Sequence, residues 1–354
     1  MKKISNLFNN ELEIINQLPS YPYIIAEIGV NHEGNLDIAK QMVNDAKESG
    51  ADAVKFQTYK ANTIASKNSP AYWDTSKEPT ESQYKLFKKH EGFWQDEMII
   101  LKNYCDNLGI EFMSTPFDFE SAEFLNDLMD VFKISSSDIT NKPFIQYISN
   151  FNKPIILSTG ASSIKEINDA VNWIEKYNNK ISILHCILNY PTAQENANLG
   201  MIKDLIEKFP GKIIGYSDHT LPGDMENLII ATLLGAKIIE KHFTYDKSLM
   251  GNDHYHAMDK SDLKRFNEKL KEVFSLLGSY KKTFLPSEQI SRRNARRSIV
   301  ASKRIQSGET ISDLNITFKR PATGISPKDI NNVLGLKANG DIDEDQVITW
   351  ELLK

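Results

Sequence analysis

Short runs of apolar, often β-branched residues alternate with longer amphipathic stretches over residues 21–285. Short apolar runs are typical of buried strands, and apolar positions three and four residues apart are typical of helices. The strand-like runs occupy residues 23–28, 53–57, 111–114, 131–134, 155–157, 181–186, 213–216 and 237–240. Because strands that alternate with helices form parallel sheets, this pattern predicts eight β-α units. Eight units in a stretch of this length favour a closed (β/α)8 TIM barrel over an open, doubly wound sheet.

One connection is unusually long. Residues 60–93, between the second strand and its helix, are polar and aromatic and contain proline. Long connections in compact domains are often functional, and the active sites of such barrels lie at the carboxyl ends of the strands. The segment is therefore interpreted as a lid over the site, with a disordered surface loop as the alternative.

The pattern of residues changes after Pro286. A polar, basic stretch is followed there by short strand-like runs that are interrupted by glycines. These runs occupy residues 298–305, 315–321 and 346–350. They predict a small, mostly β domain joined to the barrel by a linker. The predicted organisation is an N-terminal extension at 1–20, a barrel domain at 21–285, a linker at 286–297 and a small domain at 298–354.

Charge and composition exclude several classes of protein. The 354 residues include 42 Lys and Arg against 47 Asp and Glu, a net charge of −5, which argues against nucleic acid or an anionic membrane as a partner. The longest apolar run, 228–236, is far shorter than the ~20 residues of a membrane span, and the N-terminus lacks a signal peptide's apolar stretch. Two cysteines, Cys105 and Cys186, are too few for a disulfide framework. We therefore expect a cytoplasmic protein.

Charged and hydroxyl-bearing side chains stand at the ends of nearly all the predicted strands. Because the active site of such a barrel lies where the strands end, these side chains are the site candidates. The candidates are Glu27, Lys55, Gln57, Thr115, Lys133, Ser136, Asp138, Ser158, Asn189, Tyr190, Ser217 and Glu240. Burying a charged side chain within an apolar strand costs free energy, because the charge loses its water, unless an opposite charge or a ligand compensates it. The strand charges, with Lys241 among them, therefore predict mutual pairing or a ligand.

Two histidines suggest a metal ion. His219 and His242 follow the seventh and eighth strands, which are neighbours about 4.8 Å apart, so their imidazoles can converge. With Glu and Asp nearby, the site would suit Mn²⁺, Co²⁺, Fe²⁺ or Mg²⁺ better than structural zinc. Two hydrogen-bonded core histidines are the competing interpretation. His254 and His256 lie in the loop after strand eight and are expected to touch substrate or to be exposed.

Two strand lysines suggest an anion. Lys55 and Lys133 flank Thr115 in the strand order, and with Ser136 and Ser158 they are suited to clamping a phosphate group. A Schiff base on Lys133, as in class I aldolases, is the rival use of a desolvated lysine. Both interpretations predict carbon–carbon chemistry on small carbonyl compounds.

Nine dispersed segments resemble, in order, the signature segments of the sialic acid (N-acetylneuraminate) synthase family, which includes legionaminic and pseudaminic acid synthases. They are AEIGVNHEG, VKFQT, STPFD, FKISSSD, ILSTG, HCILNYP, GYSDHT, IEKHFT and FKRPATGIS. The resemblance covers residues 21–354 and implies a TIM barrel followed by an antifreeze-like (SAF) domain, in a domain-swapped homodimer. It also implies a transferase that condenses phosphoenolpyruvate with an N-acyl hexosamine and releases phosphate.

The resemblance also implies roles for individual residues. A divalent ion, Mn²⁺ or alternatively Mg²⁺ or Co²⁺, would be held by His219 and His242, and the swapped domain's Arg320 would reach the N-acyl group. Glu27 and Glu240 would lie by the reacting carbonyl. Phosphoenolpyruvate would bind to Lys55, Thr115, Lys133, Ser136, Ser158 and Ser217. The remaining substrate contacts would be Gln57, Asp138, Asn189, Tyr190 and Asp253.

Departures from the family pattern leave the acceptor sugar open. The chain has Ser137-Asp138 where many members have Gly-Glu, and Ala161 where many have Met. Residues 251–258 also differ from the expected Gly-Pro-Asp segment. The resemblance therefore leaves N-acetylmannosamine, a diacetamido-trideoxyhexose or a different sugar as the expected acceptor. The run KANTI and residues 81–83 look closer to the legionaminic-type members.

An antifreeze-like tail also raises a non-catalytic alternative, a glycan- or ice-binding protein. Ice-binding faces present flat, regular arrays of threonine. The tail carries only Thr310, Thr317, Thr323 and Thr349, at irregular spacing. The sequence therefore favours an enzyme.

Overall fold

A computed structural model of the chain describes residues 3–9, 18–177, 180–251 and 253–354. These residues divide into two compact units, Met1–Leu277 and Gly278–Lys354. Half of the predicted N-terminal extension, residues 1–2 and 10–17, lies outside the described residues. The described part contains no helix of the length and apolarity that a membrane span requires.

The first unit is built on eight parallel strands. They are β1 (Tyr23–Gly29), β2 (Ala53–Thr58), β3 (Glu111–Pro116), β4 (Phe132–Ile134), β5 (Ile155–Ser158), β6 (Ile181–Cys186), β7 (Ile213–Asp218) and β8 (Ile238–His242). Their order in the sheet is β3-β2-β1-β8-β7-β6-β5-β4, and β3 and β4 also lie side by side. The predicted TIM-like barrel is confirmed, with every strand close to its predicted position.

Helices follow the strands and cover the outside of the barrel. They are α1 (Ser5–Phe8), α2 (Leu36–Glu48), α3 (Ala61–Ile64), α4 (Gln83–His90), α5 (Gln95–Leu108), α6 (Phe119–Asn126), α7 (Lys142–Ser149), α8 (Ile164–Glu175), α9 (Met201–Lys208), α10 (Glu226–Leu233) and α11 (Lys260–Leu277). Local signals set their ends. The Asn35 side chain caps α2 by accepting from Asp37 N and Ile38 N, and Ser163 and Glu166 form a capping box on α8.

Helices cover the strands on the outside of the barrel, and side chains fill its inside, so almost every strand position is buried. For this reason the strands occur in the sequence as continuous apolar runs.

The long connection after β2 has a defined fold that includes α3 and α4. Within it Trp73 is buried, and its indole Nε1 donates to Glu78 O at 3.1 Å. This segment therefore forms part of the wall at the carboxyl end of the barrel.

The second unit contains α12 (Gln289–Ala295) and two antiparallel strands, β9 (Ser298–Ala301) and β10 (Ile316–Lys319). Its separate core consists mainly of isoleucines, with the side chains of Ile299, Ile305, Ile311, Ile316, Ile325, Val333, Ala338, Ile342, Ile348 and Leu353 among them. The strand predicted at 346–350 is wrong in extent. Only Val347 forms a bridge, because the N–H and C=O groups of Ile348 bond to two different segments and a 3-10 turn begins at Trp350.

Gly215 in β7 allows its strand to pack closely between its neighbours. A Cβ at this position would lie 2.4 Å from Leu184 Cδ2 and 2.6 Å from Ile238 O. We expect Gly215→Ala to lower the free energy of unfolding by about 1–3 kcal/mol through overpacking, measured by urea denaturation. Gly92→Ala is the control, since no described atom lies within 4 Å of its added Cβ. Equal stability of the two variants would contradict the close-packing account.

Candidate active site

A small polar cavity of about 50 Å³ lies where the barrel strands end. Twelve sequence-predicted site residues line it, namely Glu27, Lys55, Gln57, Thr115, Lys133, Ser136, Ser158, Tyr190, Ser217, His219, Glu240 and His242. The structure thus brings most of the predicted site residues into one place. Cys186, a free and buried thiol that was not among the predicted site residues, also lines this cavity.

A larger cavity of about 470 Å³ adjoins the small one and shares Gln57, Tyr190 and His242 with it. Its lining mixes polar and apolar side chains, with Tyr59, Tyr72, Trp73, Phe87 and Phe117 as its aromatic part. Many of these come from the long connection after β2, the segment predicted to be a lid. The predicted substrate residues Asp138 and Asp253 line this larger cavity.

Parallel pairing of the strands sets which side chains meet in the small cavity. On β1, Glu27 stands opposite Lys55 of β2 and His242 of β8. Ser217 of β7 stands opposite Glu240 of β8. Since side chains of one strand alternate between its two faces, residues two apart share a face. The register therefore concentrates charge on the inner face of the barrel mouth.

The charges on this inner face are paired with one another. Lys55 forms a buried ion pair with Glu27, and its Nζ lies 3.8 Å from Glu240 Oε2 and 3.0 Å from Thr115 Oγ1. Lys133 Nζ lies 2.8 Å from Glu240 Oε1. Each of the four charged side chains is about 95% buried. The mutual pairing anticipated from the sequence is present, and it places two cations beside two carboxylates.

The two carboxylates differ in acidity. Burial raises the pKa of Glu27, although Lys55 opposes the shift. Burial alone would also raise the pKa of Glu240, but Lys133 and Lys55 lower it to about 2. Two carboxyl groups whose pKa values are pushed apart are suited to opposite roles, one as a proton donor and one as an ionised acceptor.

A second buried ion pair lies on the other face of β7 and β8, turned away from the small cavity. Asp218 of β7 accepts from Lys241 Nζ at 2.6 Å, from Tyr216 OH at 2.7 Å and from Thr220 N at 2.9 Å. Burial acts to raise the pKa of Asp218, but Lys241 and these donors hold it below its usual value. The pair joins the ends of the two strands that carry His219 and His242.

The two predicted metal histidines converge. The ring centroids of His219 and His242 lie 5.4 Å apart, and the Tyr190 ring lies 4.1 Å and 6.0 Å from them. Nδ1 of His219 lies 2.8 Å from Ile187 O, and donation to this carbonyl leaves Nε2 as the ligating nitrogen. Burial lowers the pKa of His219 to about 4 and that of His242 further below its usual value. Both rings are therefore neutral, the form that binds metals.

The residues present fit a divalent ion. His242 Nδ1 is buried and has no hydrogen-bond partner among the described residues. Candidate ligand atoms of His242, Asp253 and His256 lie within 4.8 Å of one another. Burial raises the pKa of Asp253 to about 7, with Glu27 contributing. This group combines imidazole and carboxylate donors, but it does not include His219, the histidine that the sequence paired with His242.

The two histidines of the loop after β8 differ in burial from one of the sequence-based expectations. The alternative that His254 and His256 are exposed is wrong, because both are buried. His254 Nδ1 lies 2.8 Å from Thr244 Oγ1, and its side chain lines the larger cavity. His256 was not predicted as a metal residue. The one available signal was its position three residues after Asp253 in a loop that follows His242.

Two predicted substrate residues are exposed. Asn189 is exposed, and its carbonyl accepts from Thr192 Oγ1 at 3.0 Å. Arg320 is exposed in the second unit, directly after β10. The roles expected for both residues stay predictions.

Comparison with known proteins identifies the family. A model of the NeuB family matches residues 42–282, and a model of the SAF domain matches residues 296–354. The first match covers well over half of the chain. The chain belongs to the NeuB family. The resemblance noted in the nine sequence segments and the predicted SAF domain are thereby confirmed.

Relatives of this NeuB-family chain match nearly its full length. It is 40% identical over 333 residues to the N,N'-diacetyllegionaminic acid synthase of Campylobacter jejuni, a match that covers 92% of this chain and 98% of the relative. The Legionella pneumophila enzyme of the same name is 38% identical and covers 93% of this chain and 94% of its own. A crystal structure of N-acetylneuraminic acid synthetase from Leptospira borgpetersenii, in complex with citrate, has a TM-score of 0.68 at 32% identity. That match covers 77% of this chain and 90% of the other.

The buried pair of Asp218 and Lys241 is open to a stability test. We expect Lys241→Met to lower the free energy of unfolding by about 3–5 kcal/mol, because it leaves the Asp218 carboxylate buried without its cation. Lys208→Met is the matched control, since Lys208 pairs with Asp204 on an exposed helix face and should cost less than about 1 kcal/mol. Urea denaturation of metal-free protein measures both. A loss for Lys241→Met as small as the control's would contradict the assigned role of the pair.

Proposed function

We propose that this NeuB-family protein condenses phosphoenolpyruvate with an N-acyl hexosamine, releases phosphate and forms a nonulosonic acid. The observation that carries the proposal is the set of paired charges, Lys55, Lys133, Glu27 and Glu240, buried at the barrel mouth beside two histidines. Buried cations suit an anionic substrate, and carboxylates suit proton transfer. The relatives named as N,N'-diacetyllegionaminic acid synthases support the same reaction class.

Phosphoenolpyruvate is proposed to bind in the small cavity. Lys55 and Lys133 supply positive charge there, and the hydroxyl groups of Thr115, Ser136, Ser158 and Ser217 supply hydrogen bonds. Ser158 Oγ is buried without a hydrogen-bond partner among the described residues, so it is available to a ligand oxygen. Ser136 Oγ accepts from Gly160 N at 2.9 Å, which fixes its position. Such preset donors stabilise substrate charge strongly in a water-poor site.

The chemistry forms one carbon–carbon bond and breaks one carbon–oxygen bond. C3 of phosphoenolpyruvate attacks the aldehyde carbon of the open-chain sugar, which leaves an oxocarbenium at C2. Water adds at C2, and the tetrahedral intermediate collapses with release of phosphate. Glu27, whose pKa is raised, is proposed to give a proton to the new hydroxyl group. Glu240, which is ionised, is proposed to accept a proton from the added water.

His219 and His242 are proposed to hold a divalent ion, Mn²⁺ or alternatively Mg²⁺ or Co²⁺. When bound, such an ion supplies Lewis-acid polarisation of a carbonyl oxygen. The carbonyl of Ile187 holds the His219 ring in the tautomer that ligates through Nε2. The Tyr190 ring packs against both imidazoles and shields them from solvent on that side.

The acceptor sugar is proposed to bind in the larger cavity beside Tyr190. Gln57, Asp138 and Asp253 supply polar contacts beside the aromatic side chains of its lining. A diacetamido-trideoxyhexose presents two acetamido methyl groups and a deoxy terminus, whereas N-acetylmannosamine presents one acetamido methyl. Aromatic side chains within the lining suit these methyl groups, and together with the names of the two bacterial relatives they favour the diacetamido sugar and a legionaminic-type product.

Arg320 is proposed to contact the N-acyl group of the sugar from the second chain of a domain-swapped homodimer. Its side chain is exposed, and it lies within the region that the SAF model matches. A planar guanidinium with five donors suits an amide carbonyl oxygen.

The reaction itself is tested by phosphate release. With Mn²⁺, purified protein is expected to release phosphate only when phosphoenolpyruvate and a suitable sugar are both present. A panel of 2-acetamido and 2,4-diacetamido sugars, with product masses measured, identifies the acceptor. EDTA treatment and His219→Ala are each expected to lower the rate by roughly 100-fold, because Lewis-acid stabilisation is lost.

Each alternative has its own signature in this assay. Full activity after EDTA would contradict the metal site. Inactivation by borohydride in the presence of a carbonyl substrate would indicate a Schiff-base aldolase acting through Lys133. No phosphate release with any sugar would contradict the synthase and favour a glycan- or ice-binding protein.

Arg320→Ala is expected to raise the KM for the sugar or lower kcat by about tenfold while the melting temperature stays unchanged, since a substrate contact is lost. Arg304→Ala is the control and should leave the kinetics unchanged. Arg304 is an exposed arginine of the same unit, and it pairs with Asp341. Mixing inactive His242→Ala chains with Arg320→Ala chains should restore activity in a swapped dimer. Unchanged kinetics for Arg320→Ala would contradict its role.

A further inference from the structure

The lining of the larger cavity includes an acid and an imidazole that lie close together without a direct hydrogen bond. Glu33 follows β1, His254 lies in the loop after β8, and both line this cavity. Glu33 Oε1 lies 3.7 Å from His254 Nε2, whereas the heavy atoms of a hydrogen bond lie about 2.7–3.2 Å apart. The His254 side chain is 4% exposed and that of Glu33 is 43% exposed, so a ligand can reach the pair from the Glu33 side.

Neighbouring residues hold both side chains in place. His254 Nδ1 lies 2.8 Å from Thr244 Oγ1, and Tyr245 OH donates to Glu33 Oε2 at 3.4 Å. Burial lowers the pKa of His254, although Glu33 opposes the shift, so the ring is neutral near pH 7. Glu33 also has a left-handed backbone conformation, with a φ of 51°. Such strain in a residue other than glycine is concentrated at ligand sites.

A hydroxyl group suits the space between the two facing atoms. The ring proton of His254 is assigned to Nε2, because the Glu33 carboxylate attracts it and Thr244 Oγ1 can donate to Nδ1. A carboxylate only accepts hydrogen bonds, whereas a hydroxyl group both donates and accepts. One hydroxyl group between them can therefore donate to Glu33 and accept from His254 Nε2, and an amide N–H can do only the first.

The pair lies outside the proposed reaction centre. Among the described residues that line the small cavity, neither Glu33 nor His254 is found. Gln57, Tyr190 and His242 line both cavities and mark the junction at which the sugar aldehyde would meet phosphoenolpyruvate. A hydroxyl group held by the pair therefore belongs to the part of the sugar that is remote from its aldehyde carbon.

We propose that Glu33 and His254 together bind one hydroxyl group of the acceptor sugar, on the part that is remote from its aldehyde carbon. This inference rests on the proposed function and adds a contact to the acceptor. The contact transfers no proton, so it changes the affinity for the sugar and leaves phosphoenolpyruvate binding in the small cavity unaffected. Both monoacetamido and diacetamido hexoses carry hydroxyl groups in this part, so the contact serves either class.

The test is steady-state kinetics of the full-length protein with N-acetylmannosamine and with a 2,4-diacetamido-2,4,6-trideoxyhexose. Glu33→Ala and His254→Ala are each expected to raise the KM for the sugar about tenfold, because a hydrogen bond to the sugar is lost. The KM for phosphoenolpyruvate should stay within twofold of the parent value. Glu33→Gln keeps one acceptor oxygen and should recover part of the loss. A sugar KM within twofold of the parent value in either alanine variant would overturn the proposal.

The double variant tests whether the two residues share one hydroxyl group. Contacts to a shared group are not additive, so Glu33→Ala with His254→Ala should raise the sugar KM little beyond the larger single effect. Fully additive losses would overturn the shared contact. Glu48→Gln is the control, since Glu48 is an exposed acid that pairs with Lys260, and it should leave both KM values unchanged.

A crystal structure of the unaltered protein with the sugar bound covers a variant that fails to fold. A sugar oxygen within about 3.2 Å of both Glu33 Oε1 and His254 Nε2 is expected, and its absence from that place would overturn the proposal.

Calorimetric titration with the same two sugars, without phosphoenolpyruvate, separates this inference from the proposed function. Sugar binding that weakens in both alanine variants, without product from any sugar, would overturn the function and leave the contact standing. Product formation by the parent protein, with unchanged sugar affinity in both variants, would overturn the contact and leave the function standing.

Discussion

The site depends on charge neutralisation within the barrel mouth. Glu27, Lys55, Lys133 and Glu240 are nearly fully buried, and any one of them without its partners would carry a large desolvation cost. Such pairs add little net stability, since the attraction between the charges roughly offsets their loss of water. The apolar helix and strand contacts around the barrel therefore supply the stability that keeps this polar centre assembled. The benefit of the pairing is chemical, because it holds cations and carboxylates of differing pKa at fixed distances.

Side chains of adjacent strand residues point to opposite faces of the sheet, so neighbouring residues on β7 and β8 make different contacts. On β7 and β8, Ser217 and Glu240 face the small cavity, while Asp218 and Lys241 form an ion pair outside it. That outer pair precedes His219 and His242 along the chain by one residue. Lys241 Nζ also donates to Thr220 O at 2.5 Å, which ties the backbone beyond β7 to β8. The pair therefore restrains the backbone from which both imidazoles project.

Periodicity was sufficient to predict the barrel, because buried parallel strands are apolar on both faces and stand out from the helices. The site residues followed from the rule that polar groups at strand ends face a common mouth. The sequence analysis grouped Lys241 with the charges of the barrel mouth. This neglected the alternation of side chains along a strand, because Glu240 and Lys241 are neighbours and must face opposite sides of the sheet. The approach of His256 to His242 was beyond the sequence, because a loop without regular periodicity does not fix which side chains approach each other.

The division into two cavities follows the division of the chain into strands and loops. The small, charged cavity is lined mainly by residues on or directly after strands, whose positions the barrel register fixes. The larger cavity is lined mainly by the connection after β2 and the loop after β8. Changes in these connections do not disturb the strand register, so they alter the larger cavity while leaving the charged one intact. Under the proposed function, the chemistry common to different acceptors would therefore belong to the strands, and the discrimination between acceptors to the two loops.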